Sequence, residues 1–408
     1  MHNHTLRRIR RALTYLLPTL ILILGILMFF YIRTGPKQAS DTNAVADAEP
    51  SADLIIPSSD VTETSPAEEV DDQTQTPVDD LSKLPGEAPD EDADTVINEP
   101  VTLLFTGDGL LSDYVLNNYN NSGIEGVLSP ELLSELRDAD ITVINNEFPF
   151  STRGTQAPDK QFTFRVDPKY TSILTDMGVD IAGIANNHVL DFGPDALQDT
   201  FSALDDAGID YMGAGDDLAR ASALITKEAG GKTFGFLAAS RVIPVVSWDV
   251  QNSSPGVFTT YDPTRLVAAI EEARSSCDYL TVFVHWGIER DEYPQDYQVS
   301  MAKQYMDAGA DLVIGSHPHV LQGITYYKDK PICYSLGNFI FNREIQKTAA
   351  VKVTIDGENE PSIQLLAASA ANARTALCEG AQKAAIYDHV ERISSGVSID
   401  ANGIVSQN

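Results

Sequence analysis

Five short apolar runs, each ending in polar side chains able to bind metal or move protons, constrain this chain more than anything else in it. The runs are Val101–Phe105, Ile141–Ile144, Val179–Ile184, Leu280–Val284 and Leu312–Ile314. They lead into Gly107-Asp108, Asn145-Asn146-Glu147, Asn186-Asn187-His188, His285-Trp286-Gly287 and Gly315-Ser316-His317-Pro318-His319. Amphipathic segments at about 129–137, 168–176, 194–207, 264–274 and 296–308 separate them, and Gly178, Gly208 and Gly309 stand where helix caps are needed. Buried strands alternating with helices predict an α/β or layered α+β architecture, with ligand chemistry at the carboxyl ends of the strands. Of the five histidines beyond residue 100, only His389 is elsewhere.

Carboxylate, amide oxygen and several imidazoles together suit a borderline divalent cation such as Mn, Fe or Zn. An all-oxygen calcium cage would not use this much His, and a structural zinc site would use Cys. The three cysteines are widely spaced, form no C-x-x-C pair, and read as small core residues. If its segment is extended, the pair His317 and His319 projects to one side and can serve one ion or two neighbouring ones. A Ser-His-Asp hydrolase is disfavoured because no G-x-S-x-G is present.

The net charge of −31 is unevenly spread. Residues 1–37 carry six basic and no acidic side chains, whereas residues 38–100 carry 18 acidic and one basic. Such a balance argues against nonspecific nucleic-acid binding. Residues 12–32 hold no charge, and as a helix they reach about 31 Å, enough to span a bilayer. Arg7, Arg8, Arg10 and Arg11 precede that run, so the positive-inside bias places the N-terminus in the cytoplasm and the rest outside. Ala44-Val45-Ala46 has the form of a cleavage site, but the apolar run is long for a signal peptide, which favours a single-pass cell-membrane anchor. Residues 38–98 have too few apolar side chains to offset chain entropy and read as a disordered acidic linker. The expected organisation is therefore a cytoplasmic tail and anchor over 1–37, the linker over 38–98, and a folded domain from 99 onward. Val351–Ile355 and Ser362–Leu366 predict a hairpin through Asp356-Gly357, and 379–394 predicts a helix; this segment, 346–408, is expected to complete the second sheet of the domain.

The strings Thr106–Gly109, Asn145–Glu147, Ala185–Gly193, His285–Gly287, Gly315–His319 and Tyr334–Phe339 resemble the CapA-type poly-γ-glutamate capsule biosynthesis proteins, relatives of the calcineurin-like metallophosphoesterases. The resemblance covers about 101–345. It implies a four-layer α/β/β/α sandwich, an extracytoplasmic location, and a role in synthesis or export of an anionic polymer alongside other membrane subunits of a polymer synthase. Position by position it implies metal ligands at Asp108, Glu147, Asn187, His285, His317 and His319, with Glu147 in the bridging position. It makes His188 the acid near the leaving group, with Asp191 placed to orient it. Asn338 falls in a family-typical turn without an assigned role.

Two departures bear on the metal count. The superfamily's Asp-x-His becomes Asp108-Gly109-Leu110, which removes one imidazole, and Glu147 is one methylene longer than Asp. One bound ion, or a second weaker one, is expected. Two functions stay open: a metal-dependent phosphoesterase or hydrolase of the cell envelope, and a non-catalytic subunit whose cleft holds poly-γ-glutamate. A polyanion approaching a negative domain needs bound cations or a basic patch, for which Arg153, Lys160, Arg165 and Lys169 are the candidates.

Overall fold

The computed structural model describes residues 99–408. The expected membrane helix and acidic linker lie outside the described residues, among which no helix is long and apolar enough to cross a membrane.

The chain first lays down β1 (Val101–Gly109), α1 (Asp113–Ser122), α2 (Pro130–Asp138), β2 (Ile141–Asn146), α3 (Thr171–Met177), β3 (Ile181–Gly183), α4 (Pro194–Ala207) and β4 (Asp210–Met212). The four strands pair in parallel in that order. Local chemistry sets the helix limits. Pro194 opens α4, where its missing N–H costs nothing, and Gly208 closes it at φ 71°.

A second sheet follows. The short strand β5 (Ala214–Gly215) and α5 (Leu218–Ala221) lead to the hairpin β6 (Ile225–Ala229) and β7 (Lys232–Ser240). Then come β8 (Gly256–Val257), paired with β5, and α6 (Thr264–Ala273), β9 (Tyr279–His285), α7 (Asp296–Ala308) and β10 (Leu312–Ser316). The hairpin β11 (Ile324–Tyr327) and β12 (Lys330–Cys333) completes the order β11-β12-β10-β9-β7-β6. A capping box between Gln295 and Gln298 starts α7.

The remaining elements are β13 (Asn338–Ile340), β14 (Ile345–Ile355), β15 (Pro361–Ala371), β16 (Arg374–Leu377), α8 (Gly380–Ile393), β17 (Val397–Ile399) and β18 (Ile404–Gln407). They return to the first sheet rather than finishing the second, giving the order β17-β18-β15-β14-β1-β2-β3-β4, with β13 beside β1 and β16 beside β15. The reason is an open edge: β14 runs antiparallel along β1, from Val101 opposite Ile355 to Phe105 opposite Val351. The hairpin turn is also longer than a two-residue Asp-Gly loop. Residues 356–360 connect β14 to β15, closed by Asp356 Oδ1 accepting from the Glu358 and Glu360 amides at 2.9 and 3.0 Å.

The result is a mixed α/β sandwich. Along β9 the period of two divides the side chains between two apolar clusters. Tyr279 and Phe283 join Phe234 and Phe236 of β7 in the larger cluster, which includes the first sheet. Leu280, Val282 and Val284 pack instead with Leu266 and Ile270 of α6 and Met301 and Tyr305 of α7. Each such side chain stabilises the fold by about 1.5–3 kcal/mol. That surplus lets the strand ends hold polar groups that packing alone would reject.

Candidate metal centre

The carboxyl ends of β1, β2, β9 and β10, and the turn after β3, converge. Two glycines allow the close approach. A Cβ on Gly107 would overlap the Gly337 carbonyl, and one on Gly315 would overlap the Tyr334 carbonyl and the Trp286 indole. The Asp108 amide donates to that same Gly337 oxygen at 2.9 Å.

Two groups of possible ligands result, and Glu147 belongs to both. One comprises Glu147, His285 and His317, the other Asp108, Glu147 and His319; within each, the ligand atoms lie within 4.8 Å of one another. Asn187 joins the first, its Oδ1 lying 2.9 Å from His285 Nε2, which is itself 3.7 Å from Glu147 Oε1. On the ring's other side, His285 Nδ1 lies 3.1 Å from Ser316 Oγ, so Nε2 is turned inward. In the second group His319 Nδ1 is 3.1 Å from Asp108 Oδ2, 3.9 Å from Glu147 Oε2 and 2.8 Å from Asn338 Oδ1. Asn145 steadies Asp108 by donating to Oδ1 at 2.8 Å.

The pair His317 and His319 does not sit on extended backbone. Both residues have positive φ, 97° and 60°, and their ring centroids are 5.8 Å apart. The left-handed turns around Pro318 send one imidazole into each group. Such conformations cost about 1–3 kcal/mol per residue and persist only where surrounding structure imposes them.

The electrostatics of the site favour a cation. Asp108 and Glu147 are fully buried, yet among the described residues both Glu147 oxygens and His317 Nδ1 have no hydrogen-bond partner, and Asp108 Oδ2 has only the ion-pair approach of His319 Nδ1. Burial pushes the Glu147 carboxyl well above its usual range, and His319 only partly offsets this. Burial and the neighbouring imidazoles hold His285 well below the ordinary value and His317 at about 3. For His319 burial acts in the same direction, but Glu147 and Asp108 overcome it and raise the imidazole to about 10. A protonated His319 thus stands where a cation could stand, and orphaned oxygens beside neutral imidazoles are the donor set a divalent ion takes.

Beside this centre lies a cleft of about 860 Å³ lined by His188, His319, Phe164, Phe341, Leu110 and Arg290, among others. His188 stacks on Phe164 with centroids 4.5 Å apart, and its Nδ1 is 2.8 Å from Asp191 Oδ2. Burial lowers the His188 pKa. Leu110, where the superfamily pattern has His, is buried and presents hydrocarbon to the cleft.

The four expected basic residues do not form one patch. Arg153 is paired with Asp199 of α4, and Arg165 lies exposed over the Phe192 ring with its guanidinium donating to the Arg153 carbonyl. Lys169 is exposed near Asp167. Lys160 instead turns inward to Asp191, His188 and the Asn187 carbonyl. Asn338, which the motifs left without a role, opens β13 beside Asp108; its place in the Tyr334–Phe339 string was the available signal. Ser316 stood inside the Gly315–His319 string without a role, and Phe164 carried no signal.

The family model for the bacterial capsule synthesis protein PGA_cap matches residues 102–343. The chain belongs to that family. It is 30% identical over 265 residues to the PGA biosynthesis protein CapA of Bacillus subtilis, covering 64% of this chain and 69% of the relative. It is 30% identical over 261 residues to the capsule biosynthesis protein CapA of Bacillus anthracis, covering 62% of each. Among solved structures, a phosphatase from Mycoplasma pneumoniae aligns with 66% of this chain and 93% of its own, at a TM-score of 0.44 and 12% identity. Within the PGA_cap match lie all six candidate ligands, together with His188, Asp191 and Lys160.

Proposed function

We propose that this chain serves poly-γ-glutamate synthesis or export at the outer face of the cell membrane, with divalent metal held at the floor of its cleft. The observation that carries the reading is Glu147, a fully buried carboxylate shared by two ligand groups and without a hydrogen-bond partner among the described residues. Family membership supplies the polymer. The basic residues before the apolar run at 12–32 support a single-pass anchor with a cytoplasmic N-terminus, and residues 38–98 then act as the linker. In the superfamily architecture the sandwich has four layers, α/β/β/α. Mn, Fe or Zn suits the mixed donors better than Ca. Bound there, such an ion would supply Lewis-acid polarisation of a substrate oxygen and offset the charge of an anionic substrate.

A hydrolytic reading is favoured by one further feature. His188 lies on the cleft wall next to the metal groups, buried on one face and supported by Asp191. In that reading Asn187, Glu147, His285 and His317 would hold the ion at the substrate's reacting end, and His188 passes a proton to the leaving atom. The aromatic wall of Phe164 and Phe341 limits water around that transfer.

Metal analysis of the purified full-length chain, followed by assays on phosphodiesters and γ-glutamyl polymer with added Mn²⁺, separates these readings. At least one ion per chain is expected. Bound metal with no turnover would retain the polymer-handling role and remove the hydrolase, while a metal-free, inert protein would overturn both. Protease added to intact cells should release the folded domain; protection would contradict the outside placement.

A further inference from the structure

We propose that Lys160 is a positioning residue that fixes the tautomer of His188, holding its proton on Nε2, where it can be delivered into the cleft. The role of that proton in turnover rests on the hydrolytic reading above; the tautomer itself does not.

Donors and acceptors around the ring decide the tautomer. Lys160 sits in the segment between β2 and α3, 27 to 31 residues away in sequence from its partners, with its side chain only 12% exposed. An ammonium has three protons and no acceptor. Around Lys160 Nζ there are three acceptors: the Asn187 carbonyl oxygen, Asp191 Oδ1, and His188 Nδ1 at 2.9 Å. Asp191 Oδ2 already accepts the Phe164 amide at 2.7 Å. If His188 Nδ1 accepts from Lys160, every donor in this buried cluster has an acceptor, and the neutral ring must carry its proton on Nε2.

In the opposite assignment His188 Nδ1–H donates to Asp191 Oδ2, 2.8 Å away. The third ammonium proton then faces an N–H at 2.9 Å with nothing to accept it. A buried donor left unpaired forfeits its hydration without return, and a charged one forfeits more. The Nε2–H form leaves Nδ1 and Asp191 Oδ2 2.8 Å apart without a proton between them, but it satisfies all three protons of the charged donor, the costlier group to leave unpaired. Asp191 consequently anchors Lys160 and the Phe164 amide, and it orients His188 through the lysine. Among the described residues His188 Nε2 has no hydrogen-bond partner in the chain, and His188 lines the cleft, so the proton faces the space a substrate would fill. The Trp248 ring, 5.2 Å from the ammonium, covers Lys160 from the other side.

The tautomer can be read without any turnover. In full-length chain carrying ¹⁵N-histidine and loaded with diamagnetic Zn²⁺, long-range ¹H–¹⁵N correlation distinguishes a pyrrole-type from a pyridine-type nitrogen, and His188→Gln assigns the signal by its loss. Wild-type protein should show His188 Nε2 as pyrrole-type and Nδ1 as pyridine-type. Lys160→Met should exchange the two, because Asp191 then becomes the sole partner of Nδ1. A pyrrole-type Nδ1 in the wild type would overturn the proposal even if Lys160→Met failed to fold, as would an unchanged pattern in folded Lys160→Met. If phosphodiesters are turned over, Lys160→Met should slow alkyl esters by about 10²-fold or more and leave p-nitrophenyl esters, whose leaving group needs no proton, within a few-fold. Absence of turnover would count against the hydrolase alone.

Discussion

The two ligand groups share Glu147 but are otherwise unequal. The inner one combines two imidazoles, buried at the ends of β9 and β10, with an amide oxygen brought from the turn after β3. The outer one has Asp108 and a single imidazole, His319, next to Leu110, which offers no ligand. The inner set holds its imidazoles neutral and ready for a cation, whereas the outer set protects itself with a proton. The same strand-end architecture therefore yields one preorganised site and one that must first give up its proton. The inner group should fill first and the outer one weakly.

Removing the shared ligand tests this most severely. Glu147→Gln should abolish retention of metal at both groups while raising the melting temperature of metal-free protein, because a buried carboxyl with no partner is replaced by a neutral amide. Metal analysis and thermal unfolding check the two halves. A retained ion, or a metal-free protein that melts lower, would break the account of Glu147.

Truncating one imidazole at a time comes next. His317→Ala should weaken the tighter ion by on the order of 100-fold or more, since even losing a residue that only supports a ligand costs 10- to 100-fold. His319→Ala should leave the tighter ion in place and remove only the weaker. Equal effects would erase the distinction between the groups.

Proton linkage sharpens it further. His319 is raised to about 10, so its protonated form stabilises the metal-free fold fully below its unfolded value near 6.5. That contribution fades as pH rises through about 10. A cation binding the outer group must displace this proton, so affinity there should rise about tenfold per pH unit between 7 and 9. Calorimetry in buffers of different ionisation enthalpy should show one proton released with the weaker ion. The smallest effect is expected from Leu110→His, which returns an imidazole to the outer group; its affinity should tighten about tenfold while the inner ion is unchanged.

Much of this centre was readable before folding. Asp108, Glu147, Asn187, His285, His317 and His319 each follow an apolar run, and such runs, alternating with amphipathic segments, read as strands whose ends meet at one edge. The limits of α4 and α7 were also local, since Pro194, Gly208 and Gly309 terminate them through backbone chemistry. Lys160 was grouped with surface cations because sequence proximity to Arg153 and Arg165 says nothing about which side chain turns inward. The sheet chosen by β14 and β15 was equally hidden, since either sheet could satisfy the hairpin's hydrogen bonds and only the free edge of β1 settled it.

The amino-acid order by itself determined which groups stand at strand ends, because apolar periodicity and turn residues act over a few positions. Tertiary structure decided how those groups are shared. The left-handed turns at His317 and His319, the double use of Glu147 and the three acceptors around Lys160 are each set by neighbours distant in sequence. Burial converts those neighbours into constraints, since in a low-dielectric interior an unpaired proton or charge costs more than a strained backbone.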